Sequence, residues 1–365
     1  MKSTGWTLLI ICLLLAPPHF AGAGNYGDEL KKLGEENAKG YIGPFATAFG
    51  TGVNTGLYHT AKVHGWLGFD IGVKISAVKV PDEAKRYQFY VGDELRLNVD
   101  DLSLPNDLTE ITLDPSNIYP DREVPTVFGE SSSRTIAPTG AEEEVVRALR
   151  TAGLSEDQIQ DLRDSGDLNT IVARISPLHS PVGFDLGTVP VVMPQVSLGL
   201  PMKTEVLARF LPETVISKEI GGLSMFGFGV KHSISQYIPL SGFLVDISGQ
   251  AVYQKLSLGD FVESTHIAFD VHASRKIGVG FSLTPFIGIG YEMSNIKVDY
   301  RIEVDDPADP MFDRNGERVS FELDGDNAVR LTGGVRIGLP LVTINADYSW
   351  GEYDAASLGV GLTLR

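Results

Sequence analysis

The chain has a single cysteine, Cys12, in 365 residues, so no disulfide framework holds it together. Cationic side chains are in the minority, 30 Lys and Arg against 47 Asp and Glu, for a net charge of −17. A surface that acidic does not neutralise phosphates, which excludes nucleic acid as an expected partner. Beyond the N-terminus no stretch reaches the ~18 consecutive apolar residues of a membrane-spanning helix. Catalytic signatures are missing too: there is no G-x-S-x-G elbow, no H-E-x-x-H, no phosphate-binding loop and no cysteine pair. The sequence is therefore read as a non-enzyme with no cofactor.

What is present begins with an export signal. Lys2 supplies the positive start, Trp6 to Ala16 the apolar run, and Ala21-Gly22-Ala23 a small-residue cleavage site. Residues 1–23 are thus expected to be removed, taking Cys12 with them. A lipid anchor on Cys12 is disfavoured because Ile11 stands where a small residue is wanted.

From Val191 onward, apolar and polar residues alternate in segments broken by short turns. Ile267, Phe269, Val271 and Ala273 alternate with His266, Asp270, His272 and Ser274. Leu358, Val360, Leu362 and Leu364 do so at the end, and Leu67, Phe69, Ile71, Val73 and Ile75 do so upstream. Any half-buried antiparallel sheet alternates in this way. Here the runs exceed the usual length of about five or six residues, one face mixes charges with Gly and Ser, and Tyr291, Tyr348 and Trp350 fall near run ends. Those features predict an all-β fold, an antiparallel transmembrane β-barrel of about 10 to 12 strands in the cell outer membrane. In hydrocarbon every backbone polar group needs an internal partner, which a closed sheet provides.

Loop lengths sort the ends. Gly338-Leu339-Pro340 and the connections at 275–278, 236–241 and 199–202 are tight and read as periplasmic; 351–355, 301–326, 256–264 and 212–222 read as external. The same parity puts an insertion, 81–190, outside. It is acidic, with 21 Asp and Glu against 9 Lys and Arg. Two apparent capping boxes, at Thr139–Glu142 and Ser155–Gln158, predict helices near 142–150 and 156–164. Residues 57–63 read as a descending strand, so the chain must already be at the outer side before it. Tyr41, Phe45, Ala48, Phe49 and Gly52 recur at helical spacing, favouring a plug segment over 24–56; a twelfth strand over 45–54 is the alternative. The barrel proper is then 57–365.

The stretches "YIGPFATAFGTGVNTGLYHTAKVHGWLGFDIGV", "PTVFGE", "PQVSLGLPMKTEVLARFLP", "GFGVKHSISQYIPLSGFLVDISGQAVYQKL" and "DGDNAVRLTGGVRIGLP" together resemble an uncharacterised family of bacterial outer-membrane barrel proteins with no assigned function. The resemblance spans nearly the whole mature chain. More distantly, the N-terminal segment is similar in architecture to the hatch of long-chain fatty-acid transporter barrels. That resemblance implies passage of hydrophobic molecules through a plugged lumen, although fold alone does not establish function. One departure is the ending "TLR", where such barrels end in an aromatic residue.

The candidate lumen-lining residues are Asp70, Lys74, Lys203, Glu205, Arg209, Lys231, Asp246, His266, Asp270, His272, Glu292, Arg330, Arg336 and Asp347. Their mixed signs favour a plugged or narrow interior filled by ion pairs over a wide selective pore. His266, Asp270 and His272 share one strand face and are the best local cluster for a metal or a proton, against the plainer reading of a lumen network. The carboxylates around Asp313, Asn315, Gly316 and Asp324-Gly325-Asp326 are oxygen ligands of the type calcium takes, but EF-hand spacing is missing and turns account for them. The reading adopted is passive transport or uptake of small, hydrophobic molecules. The alternative is a surface-binding or structural protein acting through the acidic insertion. Expected partners are outer-membrane lipid, the barrel assembly machinery and a small hydrophobic ligand.

Overall fold

Alternation becomes a ring of long strands. The computed structural model describes residues 34–102, 104–217, 221–238, 245–302 and 316–364, so the export segment and the carboxylates at 303–315 lie outside the described residues. The strands of the main sheet are β1 (Phe69–Lys79), β2 (Thr188–Leu200), β3 (Thr204–Ser217), β4 (Gly221–Ser233), β5 (Asp246–Leu258) and β6 (Val262–Ser274). They continue as β7 (Ser282–Arg301), β8 (Arg318–Asp324), β9 (Val329–Gly338), β10 (Val342–Trp350) and β11 (Ala355–Leu364). Each pairs antiparallel with its chain neighbour, and β1 closes the ring on β11 from Phe69 opposite Leu364 to Val78 opposite Ala355. Ten strands form the closed barrel, and β8 is extra. It pairs with the far end of β7, from Asn295 opposite Asp324 to Arg301 opposite Arg318, while β9 pairs with the near end. The segment read as an external loop around 301–326 thus contains a strand.

Closure leaves no edge in the ring. The tight connections 201–203, 275–281 and 339–341 gather at one end, called here the turn end, with the start of β1 and the close of β11. The outward faces are apolar: Ile71 and Ile75 on β1, Phe226 and Phe228 on β4, Phe269 and Val271 on β6, and Leu358, Val360 and Leu362 on β11 are all exposed. Facing inward on the same strands are Asp70, Lys74, Lys231, Asp270, Ser357 and Thr363, all buried. A soluble protein does not put its large apolar residues outside and its charges inside, so the pattern is that of a barrel in an apolar surround.

Residues 57–63 are not a strand. They follow α1 (Glu35–Asn54) as irregular chain, and Leu57, Tyr58, His59, Thr60, Ala61 and Val63 are buried. The alternation misled because the barrel wall surrounds this segment on every side, burying side chains whichever way they point. Residues 45–54, the candidate twelfth strand, are helical. Helix α1 starts with Glu35 and Glu36 in its first turn, favourable to the helix dipole. It contacts β1, β2, β6, β7 and β8, placing it inside the ring. Its glycines make it thin: a Cβ on Gly50 would stand 2.3 Å from Ser294 Oγ, and one on Gly52 2.6 Å from Val191 Cγ2.

Residues 86–184 form a separate compact unit. Its core gathers Val99, Ile111, Ile118, Val145, Leu149 and Ile171 from short strand pairs and helices. The helix Glu156–Ser165 opens with a full capping box: Ser155 Oγ accepts from Gln158 N, and Gln158 Oε1 accepts from Ser155 N. The other box does not form. The helix Ala141–Thr151 is capped by Gly140 with no side-chain bond. Any Cβ at that position would stand 1.8 Å from Asn117 O, so close backbone packing rather than capping chemistry fixes the residue.

A latched segment inside the barrel

Helix α1 ends halfway down the barrel, where its last carbonyls have no helical partners. Two arginines from the wall meet them. Arg209 on β3 donates from Nη1 to Val53 O at 2.6 Å and from Nη2 to Thr55 O at 3.1 Å; its Nε donates to Gln195 Oε1 at 2.8 Å. Arg330 on β9 donates to Asn54 O, and its Nη1 lies 3.3 Å from Glu292 Oε2. Gln254 Nε2 adds a bond to Asn54 Oδ1 at 2.9 Å. Cations at a helix C-terminus complement the dipole, and a buried guanidinium is tolerable only with its donors used. Arg209 is 0% exposed.

Below the helix the chain descends toward the turn end through a series of polar contacts. Tyr58 stacks on His272, with ring centroids 4.0 Å apart and planes 3° apart. Gly288 makes that possible, since a Cβ there would stand 2.2 Å from Tyr58 Oη. His59 lies between Lys74, which donates to its Nδ1 at 3.2 Å, and Asp70, 3.5 Å from its Nε2. Lys74 also donates to Asn345 Oδ1 at 2.6 Å. Ser248 Oγ donates to Ala61 O at 2.5 Å, and Ser274 Oγ accepts from Ala61 N at 2.8 Å. His64 then donates from Nδ1 to Glu205 Oε2 at 2.7 Å, while Lys231 holds the other oxygen at 2.7 Å. Opposite charges are thus paired across the interior, wall to segment and wall to wall.

Below the helix, one apolar cluster forms. Leu57 and Tyr58 cover Leu207, Val252, Ala268 and Phe286, inward-facing residues of β3, β5, β6 and β7. The interior therefore has an apolar patch with a lid of its own chain.

A family model, described as a family of unknown function (DUF6588), matches residues 1–364. The chain belongs to that family. No curated protein matches it. Among solved structures, the Ralstonia pickettii toluene transporter TbuX is similar at 9% identity and a TM-score of 0.25, over 93% of this chain and 99% of that one. The CymD monoaromatic hydrocarbon channel is similar at 8% identity and a TM-score of 0.21, over 82% of this chain and 88% of that one. Likeness this low transfers no substrate.

In this DUF6588 member the candidate residues divide by level. Asp70, Glu205, Lys231 and Arg336 are buried near the turn end; Lys74, Arg209, Asp270, Arg330 and Asp347 are buried further along; His266 and Glu292 are buried beside the helix. Asp347 accepts from Ser357 Oγ at 2.5 Å, and Arg336 stands opposite Asn345 in the β9–β10 ladder. Two residues differ from expectation. Lys203 is exposed in the turn between β2 and β3 with a φ of 52°, because strand parity does not carry through a turn. Asp246 has inward parity but opens β5 at the rim and is half-buried. His266, Asp270 and His272 do not converge. His266 is held by Ser264 Oγ at 2.8 Å and Ser294 Oγ at 2.9 Å, and His272 by the Tyr58 ring. Among the described residues no group of three metal-binding side chains exists. Tyr58, His59, His64, Gln195 and Asn327 belong to the interior network but were not among the candidates; Tyr58 and His59 sit on the segment misread as a strand, and His64 follows it.

Proposed function

We propose that the protein is an outer-membrane barrel that admits small hydrophobic molecules passively when its internal segment shifts. The observation that supports this is the apolar patch of Leu207, Val252, Ala268 and Phe286, covered by Leu57 and Tyr58. Around them, the chain from His59 to His64 is held by hydrogen bonds and ion pairs, which exchange readily with water. Movement of residues 57 and 58 uncovers an apolar surface inside a polar conduit, a resting place for a ligand of the same character. The mechanism involves no covalent step: diffusion into the lumen, occupation of the patch in place of Leu57 and Tyr58, and release beyond it. The apolar outward faces support the membrane location.

The test compares the full chain with a variant lacking 34–54, both reconstituted in vesicles and planar bilayers. The truncated barrel is expected to conduct ions and to pass a hydrophobic dye faster than the full chain. Val252→Asp in the truncated barrel should slow the dye and leave ion conductance unchanged. If neither the full chain nor the truncated barrel passes dye or ions, transport is wrong. The remaining reading is then binding through residues 86–184, which carry 18 Asp and Glu against 8 Lys and Arg.

A further inference from the structure

The outward face of the barrel contains a hollow. Across β4 to β7 the lipid-side positions run large, small, large: Val230, then Gly249 and Ala251, then Phe269 and Val271, then Ile289. Together they line an apolar recess of about 660 Å³. Gly249 is not required by the backbone. It does not have a positive φ, and the nearest atom to a Cβ built on it is Ile234 Cδ1, at 3.6 Å. Most other strand glycines are crowded: a Cβ on Gly72 would stand 2.5 Å from Val360 O, and one on Gly227 2.7 Å from Gln254 Cγ. A larger residue fits at 249 and would shield backbone from the surround, yet the position is left empty.

The foot of the recess is polar. His232 lines it at the turn end. Its Nδ1 is 2.8 Å from Thr204 Oγ1, its Nε2 accepts from Gln236 Nε2 at 2.8 Å and lies 3.0 Å from Tyr237 Oη, and the Tyr237 ring lies against it at 5.7 Å. On one side stands Lys203, whose carbonyl accepts from Ser233 N at 3.0 Å. On the other side Arg275 and Lys276 follow β6, with Arg275 N bonded to Pro285 O at 3.2 Å. The described turn-end residues carry the cations Lys62, Lys203, Arg275 and Lys276, and one exposed or half-buried acid, Asp246.

We propose that this recess binds one anionic glycerophospholipid of the leaflet at the turn end. An acyl chain lies over Gly249 and Ala251, and the phosphate sits at the foot beside the His232–Tyr237 pair, with Lys203 and the Arg275-Lys276 pair supplying the charge. An aromatic and a histidine at the headgroup level, with cations beside them, match an anionic headgroup by charge-assisted hydrogen bonding. The inference rests on the barrel standing in a bilayer and not on what crosses its lumen.

The experiment is native mass spectrometry of the full chain, extracted in detergent, delipidated and titrated with phosphatidylglycerol or phosphatidylcholine. Wild type should retain one phosphatidylglycerol at concentrations about tenfold below those needed for phosphatidylcholine, a factor corresponding to about 1.4 kcal/mol. Gly249→Leu should weaken that adduct at least about tenfold, by the same conversion. Lys203→Glu combined with Lys276→Glu should abolish the preference between the two lipids. Heat-modifiable electrophoretic mobility reports barrel assembly in every variant, and Ala251→Phe replaces Gly249→Leu if the latter fails to assemble. Equal adducts in wild type and the filled variants would overturn the site. Equal retention of the two lipids by wild type would overturn the charge assignment.

Discussion

At the scale of single residues, the two faces of each strand obey opposite rules. Leu358 is 51% exposed on β11, paired between Ile75 and Ala346, and points into the surround. Leu358→Arg should lower the folding free energy into vesicles by about 2–4 kcal/mol if the position lies near the midplane. Denaturant titration in vesicles measures this, and an effect below about 0.5 kcal/mol, typical of exposed sites in water, would return the sheet to an aqueous surface. The inward neighbour does not behave as a neutral control. Asn345 faces inward, and its Oδ1 is the acceptor for Lys74, a partner that strand period alone does not reveal. Asn345→Arg would set a second cation against that ammonium, so inward positions also resist charge, for electrostatic rather than solvation reasons. Lys203 shows the limit of the same reading. Alternation assigns faces along a strand and loses count at the first turn.

At the scale of elements, the latch on α1 is the feature that sequence could not supply. Arg209 and Arg330 are legible as inward charges, but their partners are backbone carbonyls of Val53, Thr55 and Asn54, which have no signature in a sequence. Arg209→Ala leaves Thr55 O without its donor and Val53 O with only the 3.3 Å bond from Gln254 Nε2, at about 1–3 kcal/mol for an unsatisfied buried group. Hydrogen exchange of residues 50–60 should therefore quicken in Arg209→Ala while the strands stay protected. Adding Arg330→Ala should cost less than the sum of the two single changes, because both hold the same helix end; strict additivity would mean that they act on separate structures. The segment below the helix was misread for a related reason. Burial inside a barrel comes from all directions, so the alternation of residues 57–63 carries no information about pairing. Local chemistry was easier where it was self-contained. Ser155→Ala should cost about 1 kcal/mol by removal of the cap, seen as faster exchange at the start of the helix Glu156–Ser165. Thr139→Ala should leave the helix Ala141–Thr151 unchanged, since Thr139 makes no capping bond there.

For the whole barrel, charge divides by end. The described turn end carries Lys62, Lys203, Arg275 and Lys276, whereas the opposite end carries Asp260, Asp326, Glu352 and Asp354 in its loops. The insertion between β1 and β2 opens from the acidic end, and barrels of this kind carry their long connections outside, which predicts that the basic turn end faces the periplasm. Both insertion points for a test are benign. Gly259 and Asp260 make a tight exposed turn between β5 and β6, and Gly280 stands in the turn before β7 with nothing within 4 Å of an added Cβ. An epitope inserted after Asp260 should be labelled by antibody on intact cells. One inserted after Gly280 should be labelled only once the outer membrane is permeabilised. The opposite pattern would invert the barrel and place the cations of the lipid recess in the outer leaflet. Labelling of both epitopes on intact cells would mean that the barrel does not stand between two compartments, and the apolar outward faces would then need another cover.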